Sequence, residues 1–178
     1  MTNFEKVVDF NKSFGVTIHE TPQHNIFTND PKLVKFRYDL IAEEVSELSD
    51  AIKQNNFVEV TDALSDILYV VYGAGASFGI DLDKAFDIVH RSNMSKLCQT
   101  EDEAKETVEW YKKNESRYDS PTYRKSDNGK YWVVYNASTS KILKSINYVP
   151  ANFDSLLSSP ARAEPNLFLT SSGSPSTA

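Results

Sequence analysis

From residue 30 to residue 97, hydrophobic positions recur every three to four residues, the period of amphipathic helices. Local signals mark where each helix starts and stops. Thr2 with Glu5 three residues on forms a capping box, opening a short first helix that Gly15 can close. Val16 to Asn29 has no helical period and holds His19 and His24, so it is expected to be a loop. Asp30-Pro31 supplies an N-cap followed by proline at the first helical position, and the second helix runs to about Gln54. Asn55-Asn56 interrupts the chain, and a third helix follows from Phe57 to about Ser77. Gly79 breaks it, and Asp81 caps a fourth helix reaching about Leu97. Thr100 with Glu103 is another capping box, starting a helix that ends near Asn114.

Beyond this point the pattern changes. Residues 118–148 are rich in tyrosine, serine and lysine. Tyr131-Trp132-Val133-Val134-Tyr135 has strong β-propensity, the turn signal Asp127-Asn128-Gly129 precedes it, and Lys141 to Tyr148 is its expected partner strand. From Asp154 onward serine, proline and alanine dominate without a period. The expected architecture is an all-α bundle over residues 1–117, a small β-hairpin extension over 118–150, and a flexible tail or docking segment over 151–178.

The acidic residues do not follow the usual division of a helix into apolar and polar faces. On the second helix Leu33, Phe36, Leu40, Leu48 and Ala51 share one broad face; Glu44 and Glu47 fall inside it, with Glu43 and Asp50 at its edge. On the third helix Glu59, Asp62 and Asp66 line up with Tyr69, Gly73 and Ala76, while Val60, Leu64, Ile67 and Val71 occupy the opposite side. This helix is expected to be buried all round apart from its acidic stripe. An unpaired buried carboxylate costs several kcal/mol or shifts its pKa until it is neutral. Bases near these acids in sequence are few: Arg37 and Lys53 on the second helix and none between Phe57 and Ser77. A hard divalent cation resolves the conflict, since Mg²⁺ takes oxygen ligands and keeps waters for substrate phosphates, with Mn²⁺ as a substitute. The plainer alternative is a solvated acidic face. Di-iron bundles need two Glu-x-x-His motifs, and only Asp87-Ile88-Val89-His90 has comparable spacing; one cysteine and three histidines argue against zinc.

Composition narrows the partners. The 178 residues are 40% hydrophobic and 25% charged, a globular balance, with a net charge of −6. A phosphate-rich partner is therefore met by local cations or metal, and nonspecific nucleic-acid binding is disfavoured. The single Cys98 allows no intrachain disulfide, no signal-peptide pattern is present, and the apolar run Ile67 to Ile80 is too short to span a bilayer. A soluble cytoplasmic protein is expected. The fourth helix ends His90-Arg91-Ser92-Asn93-Met94-Ser95-Lys96, where Asn93 and Lys96 lie one turn apart. They either face the acids and hold phosphate or metal water, or form an ordinary basic helix C-terminus.

Glu43-Glu44-Val45-Ser46-Glu47-Leu48, followed by Glu59-Val60-Thr61-Asp62-Ala63-Leu64-Ser65-Asp66-Ile67-Leu68-Tyr69, resembles the all-α nucleoside triphosphate pyrophosphohydrolase superfamily of MazG-like and phosphoribosyl-ATP pyrophosphohydrolase-like proteins. The similarity covers about Leu33 to Leu97. Phe36-Arg37 through Glu47, and His90 to Lys96, look like its small deoxynucleotide-acting branch. The resemblance implies Mg²⁺-dependent hydrolysis of a (d)NTP to (d)NMP and pyrophosphate, by water attacking the α-phosphorus. It makes Glu44, Glu47, Asp62 and Asp66 metal ligands, Glu59 a further candidate ligand, and Glu43 a ligand or the base that activates water. Asn93 and Lys96 match the branch's phosphate-contacting segment, and Arg37 and Tyr69 are weaker candidates for substrate contact. The chain departs from the family pattern at Ala63, where a glutamate is usual, with Asp62 one residue earlier as its substitute.

The family fold is a bundle completed by a second subunit, and the apolar circumference of the third helix independently calls for such cover, so at least a homodimer is expected. Tyr123, Arg124, Lys125, Lys130, Trp132 and Lys141 either close over a base or phosphate or, more simply, belong to a hairpin packing on the bundle or a neighbouring subunit. The competing function is a nucleotide-binding or interaction protein that keeps the fold without turnover; a solvated structural oligomer is the third reading.

Overall fold

The computed structural model describes residues 1–158; most of the segment expected to be a flexible tail lies outside the described residues. The chain runs through α1 (Asn3–Ser13), α2 (Ile26–Asn29), α3 (Pro31–Lys53), α4 (Phe57–Phe78), α5 (Leu82–Met94), α6 (Glu101–Asn114), β1 (Pro121–Lys125), β2 (Trp132–Asn136), β3 (Lys141–Ile142) and α7 (Asp154–Leu157). It is mostly helical, with a small antiparallel sheet of order β1-β2-β3 towards the C-terminus. No single helix among the described residues is long and apolar enough to cross a membrane.

The helix starts are set by side chains that satisfy otherwise unpaired backbone N–H groups. The Thr2–Glu5 box is reciprocal: the Glu5 amide donates to the Thr2 hydroxyl at 3.2 Å and the Thr2 amide to the Glu5 carboxylate at 2.7 Å. Asp30 accepts from the Leu33 amide at 3.0 Å, ahead of Pro31 at the first helical position. Asn56 accepts from the amides of Val58 and Glu59, and Thr100 from that of Glu103. Gly79 ends α4 in the left-handed conformation, φ 74°, with its N–H on Ala76 O and the next N–H on Gly75 O.

Two departures from the sequence reading concern α2 and α5. The stretch expected to be a wholly irregular loop contains α2, a single turn that buries Ile26. One turn is too short to show a period. The fourth long helix, α5, stops at Met94 rather than near Leu97, because Cys98 is drawn into a bridge: its N–H and C=O both pair with Trp132, at 2.9 Å each.

The sheet also departs from expectation. The first partner of β2 is the preceding β1, in the register Tyr123↔Val134, joined through a turn in which the Gly129 N–H donates to Ser126 O at 2.8 Å. The expected partner over residues 141–148 pairs only at Lys141 and Ile142. Beyond Leu143 its N–H groups turn to α6 instead: Lys144 donates to the Tyr111 hydroxyl at 3.1 Å and Ile146 to that of Thr107 at 3.2 Å. The sheet thus lies on α6 in its own chain, around a core of Cys98, Ala104, Val108, Tyr111, Val134 and Leu143.

Helices α3 and α4 form the most extensive helix pair, and α1 lies along α4. Residues 16–23 are stitched to the C-terminal end of α4 by bonds from His19 N to Ala76 O and from Gln23 N to Phe78 O. Within the described residues alone, α4 is not buried all round apart from its acidic stripe. Its buried residues are Ala63 and Gly73 to Ser77, whereas Phe57, Val58, Leu64 and Leu68 are 82%, 74%, 49% and 59% exposed. On α3 Phe36 and Val45 are also half exposed. Neighbouring elements cover one side of this helix pair, and the apolar side that remains has no partner among the described residues.

Candidate active site

The α3–α4 pair sets Glu43, Glu47, Asp62 and Asp66 near enough for their charges to act on Glu44. Glu44 is half buried on α3, and its Oε2 is shielded from solvent without a hydrogen-bond partner among the described residues. Its carboxyl is pushed up, first by burial and then by the negative charges of Glu47, Asp66, Glu43 and Asp62, in that order. Two of these charges come from α3 and two from α4, so the electrostatic field at Glu44 is assembled from both helices. Glu43, Glu47, Asp62 and Asp66 are exposed, as is Glu59 in the first turn of α4.

The ion pairs of α3 are Lys35–Asp39 and Lys53–Asp50, and among the described residues none of Glu43, Glu44, Glu47, Glu59, Asp62 or Asp66 has a cationic partner. No three acidic, histidine or cysteine side chains among the described residues stand in a ready-made metal-ligand group. A shielded carboxylate oxygen without a donor, surrounded by further carboxylates, is suited to a hard cation and unsuited to an anion or a neutral donor-poor ligand.

The remaining candidates fall into separate places. Tyr69 is 40% exposed, packs edge-on against Phe10 at 5.5 Å, and lines a cavity of about 220 Å³ beside α1. Asn93 and Lys96 bond to each other, Lys96 Nζ donating to Asn93 Oδ1 at 2.7 Å, and neither bonds to the acidic group. Arg37 is buried, 5% exposed, with Nε donating to the Ser77 hydroxyl at 2.8 Å. Ala63, at the position where the family pattern expects a glutamate, is buried and leaves no carboxylate there. His19 and His24 bond main-chain carbonyls, of Ser77 and Leu157 respectively. A larger cavity, about 400 Å³, lies at the far end of α4, between Lys12, His19, Gly79 and Lys84, away from the carboxylates.

The sequence reading did not single out Asn11 or Ser77. Ser77 sits within the apolar run that ends α4 and is fully buried, where its hydroxyl accepts from Arg37 and donates to Thr17 O at 2.8 Å. Asn11 is 3% exposed on α1. A hydroxyl inside an apolar run and an asparagine on a buried helix face were the available signals.

The family model described as phosphoribosyl-ATP pyrophosphohydrolase matches residues 7–93, the segment from α1 to the end of α5. The chain is also similar to a protein of Acanthamoeba polyphaga mimivirus named "Uncharacterized protein L479". The two are 34% identical over an alignment that covers 88% of this chain and 96% of the relative. That match extends well past residue 93, so the viral relative shares much of the region that includes α6 and the sheet.

Proposed function

Because the chain belongs to the phosphoribosyl-ATP pyrophosphohydrolase family, within the MazG-like superfamily of nucleotide pyrophosphohydrolases, we propose that it is a Mg²⁺-dependent hydrolase converting a (d)NTP to a (d)NMP and pyrophosphate. The observation that carries this reading is the donorless Glu44 Oε2 amid four other carboxylates from two helices. Glu44 and Glu47 from α3, with Asp62 and Asp66 from α4, would hold the cation, and Glu59 is the outlying candidate. When bound, Mg²⁺ supplies charge neutralisation of the triphosphate and acidifies a coordinated water. Glu43, exposed on α3 next to Glu44, would accept the proton from the attacking water as the α-phosphorus gains that oxygen and loses the bridge to the β-phosphate. Lys96, bonded to Asn93 apart from the carboxylates, would supply an ammonium for a phosphate oxygen. The exposed apolar side of α3 and α4 is the surface for a second copy of the chain, which makes the working form at least a dimer.

A second reading rests on Ala63. With no glutamate there, a protein that binds nucleotide without turning it over has one specific observation in its favour. The two separate in one assay. Full-length protein is incubated with each dNTP, each NTP and phosphoribosyl-ATP, with Mg²⁺, with Mn²⁺ and with EDTA, and pyrophosphate is measured. The hydrolase reading expects metal-dependent pyrophosphate in stoichiometry with the monophosphate for at least one substrate. Metal-dependent thermal stabilisation by nucleotide with no pyrophosphate from any of them would replace it with the binding reading.

A further inference from the structure

Two buried hydrogen-bond donors at the junction of α1, α3 and α4 are left without partners. Arg37 is 95% and Asn11 97% removed from solvent, yet Arg37 Nη2 and Asn11 Nδ2 have no hydrogen-bond partner among the described residues. Several contacts place both at one junction. A Cβ on Gly73 would lie 3.0 Å from Arg37 Nη1 and 3.9 Å from Val7 Cγ1, so the guanidinium passes close over α4 where α1 crosses it. Asn11 is one helical turn beyond Val7 on the same buried side of α1. Ser77 takes Arg37 Nε and bonds Thr17 O, while Asn11 O receives the Val16 N–H at 2.8 Å, closing the chain around the same spot.

The charge there is as unusual as the unused donors. Arg37 makes no ion pair among the described residues, although the protein carries a net charge of −6. Burial pushes its pKa down, but an arginine does not give up its proton, so the positive charge stays. A buried, uncompensated cation costs several kcal/mol unless something anionic meets it. The Phe36 ring, 5.5 Å from the guanidinium carbon, gives a weak cation–π contact, and a water molecule would satisfy one or both N–H groups; neither supplies a negative charge. Both unused groups are donors, which selects an acceptor ligand, and the full charge selects an anion.

Arg37 and Glu44 are seven residues apart on α3, hence about two turns or ~10 Å along one helical face. Phosphate held at the acidic group therefore lies within reach of a triphosphate extending towards Arg37. We infer that Arg37 and Asn11 form an oxyanion subsite that receives the distal phosphates of the substrate, the part that leaves as pyrophosphate. The existence of an anion site stands on the two unused donors; its assignment to the leaving group rests on the pyrophosphohydrolase reading. Arg37 and Asn11 are then substrate-positioning residues, with the acids and Glu43 at the reacting centre.

The test separates the two claims by measuring anion binding without turnover. Inorganic pyrophosphate is titrated against the full chain in the absence of metal, with NaCl at matched ionic strength as control, and the melting temperature is followed. Pyrophosphate is expected to stabilise the protein and NaCl not to. Arg37→Lys and Asn11→Leu, each compared with its own ligand-free midpoint, are expected to weaken pyrophosphate about ten-fold or more, the scale of one lost charge-assisted hydrogen bond. In the active enzyme the same variants raise KM for the triphosphate and the inhibition constant for pyrophosphate together. Equal protection of the wild type and both variants, or a wild type that turns over substrate yet is indifferent to pyrophosphate, overturns the subsite. Pyrophosphate binding that depends on Arg37 in a protein with no hydrolase activity keeps the subsite and overturns the catalytic reading instead.

Discussion

Glu44→Gln is expected to lower metal-dependent pyrophosphate release by at least about 100-fold, since altering even the outer partners of a metal site costs ten- to a hundred-fold. The same substitution is expected to raise the melting temperature of the metal-free protein. Both follow from one feature: a shielded carboxylate oxygen with no donor, in the field of Glu47, Asp66, Glu43 and Asp62. Burial first, and these charges second, hold the Glu44 carboxyl above its ordinary range. The folded state thus binds its proton more tightly than the unfolded chain does. The metal-free protein is accordingly favoured when Glu44 is protonated and loses stability as pH rises from the ordinary glutamate range through the raised value. Mg²⁺ reverses the slope, because a ligand carboxylate must be ionised. Thermal melts across this interval, with and without Mg²⁺, should coincide at its acid end and diverge as pH rises for the wild type. In Glu44→Gln this residue's share of both slopes should disappear. A variant with unchanged turnover, or one destabilised without metal, would place Glu44 outside the reactive group.

Gly79→Ala is expected to be the most damaging conservative change in the bundle, costing about 3 kcal/mol or more. Gly79 has φ 74°, and a Cβ there would lie 1.9 Å from the Thr21 carbonyl oxygen and 2.4 Å from its carbon. The obstacle is backbone, and that backbone is held on either side by His19 N to Ala76 O and Gln23 N to Phe78 O. Relief would require breaking the attachment of residues 16–23 to α4. For a chain of this size the loss corresponds to roughly 10 °C in melting temperature. Gly15→Ala is the control: φ is similar, at 68°, but nothing lies within 4 Å of the added carbon. Its cost should stay near the left-handed penalty alone, about 1 kcal/mol. Urea titrations of the two variants give the comparison; equal costs would show that the contact with Thr21 is not rigid.

The two glycines illustrate which features were legible in the sequence. Helix termini are local, so Thr2, Asp30, Asn56, Asp81 and Thr100 announced the helices they cap, and Gly79 announced the end of α4. The rigidity of Thr21 against Gly79 was not legible, because it comes from residues more than fifty positions away in sequence. The same separation of near and far runs through the sheet. The strong strand β2 and its Asp127-Asn128-Gly129 turn were readable, but Pro121–Lys125 carries proline and charge and becomes a strand only by pairing with β2. Residues 143–146 have strand-like composition and are diverted by Tyr111 and Thr107 of α6.

At the site, acids inside apolar stripes with few bases nearby marked α3 and α4 as facing partners, a pattern confined to one stretch of chain. Arg37 was noticed through resemblance, but its burial, its bond to Ser77 and the unused donor of Asn11 depend on three helices meeting. Periodicity also identified the apolar circumference of α4 and called for cover from a second subunit; among the described residues Leu64 and Leu68 are left exposed.

The most direct test of the central claim is anomalous scattering from crystals grown with Mn²⁺. Manganese density bounded by Glu44 and Glu47 of α3 and Asp62 and Asp66 of α4 is the predicted result. Density only elsewhere, or none at a concentration that supports turnover, with these four carboxylates directed to bulk water, would contradict the account.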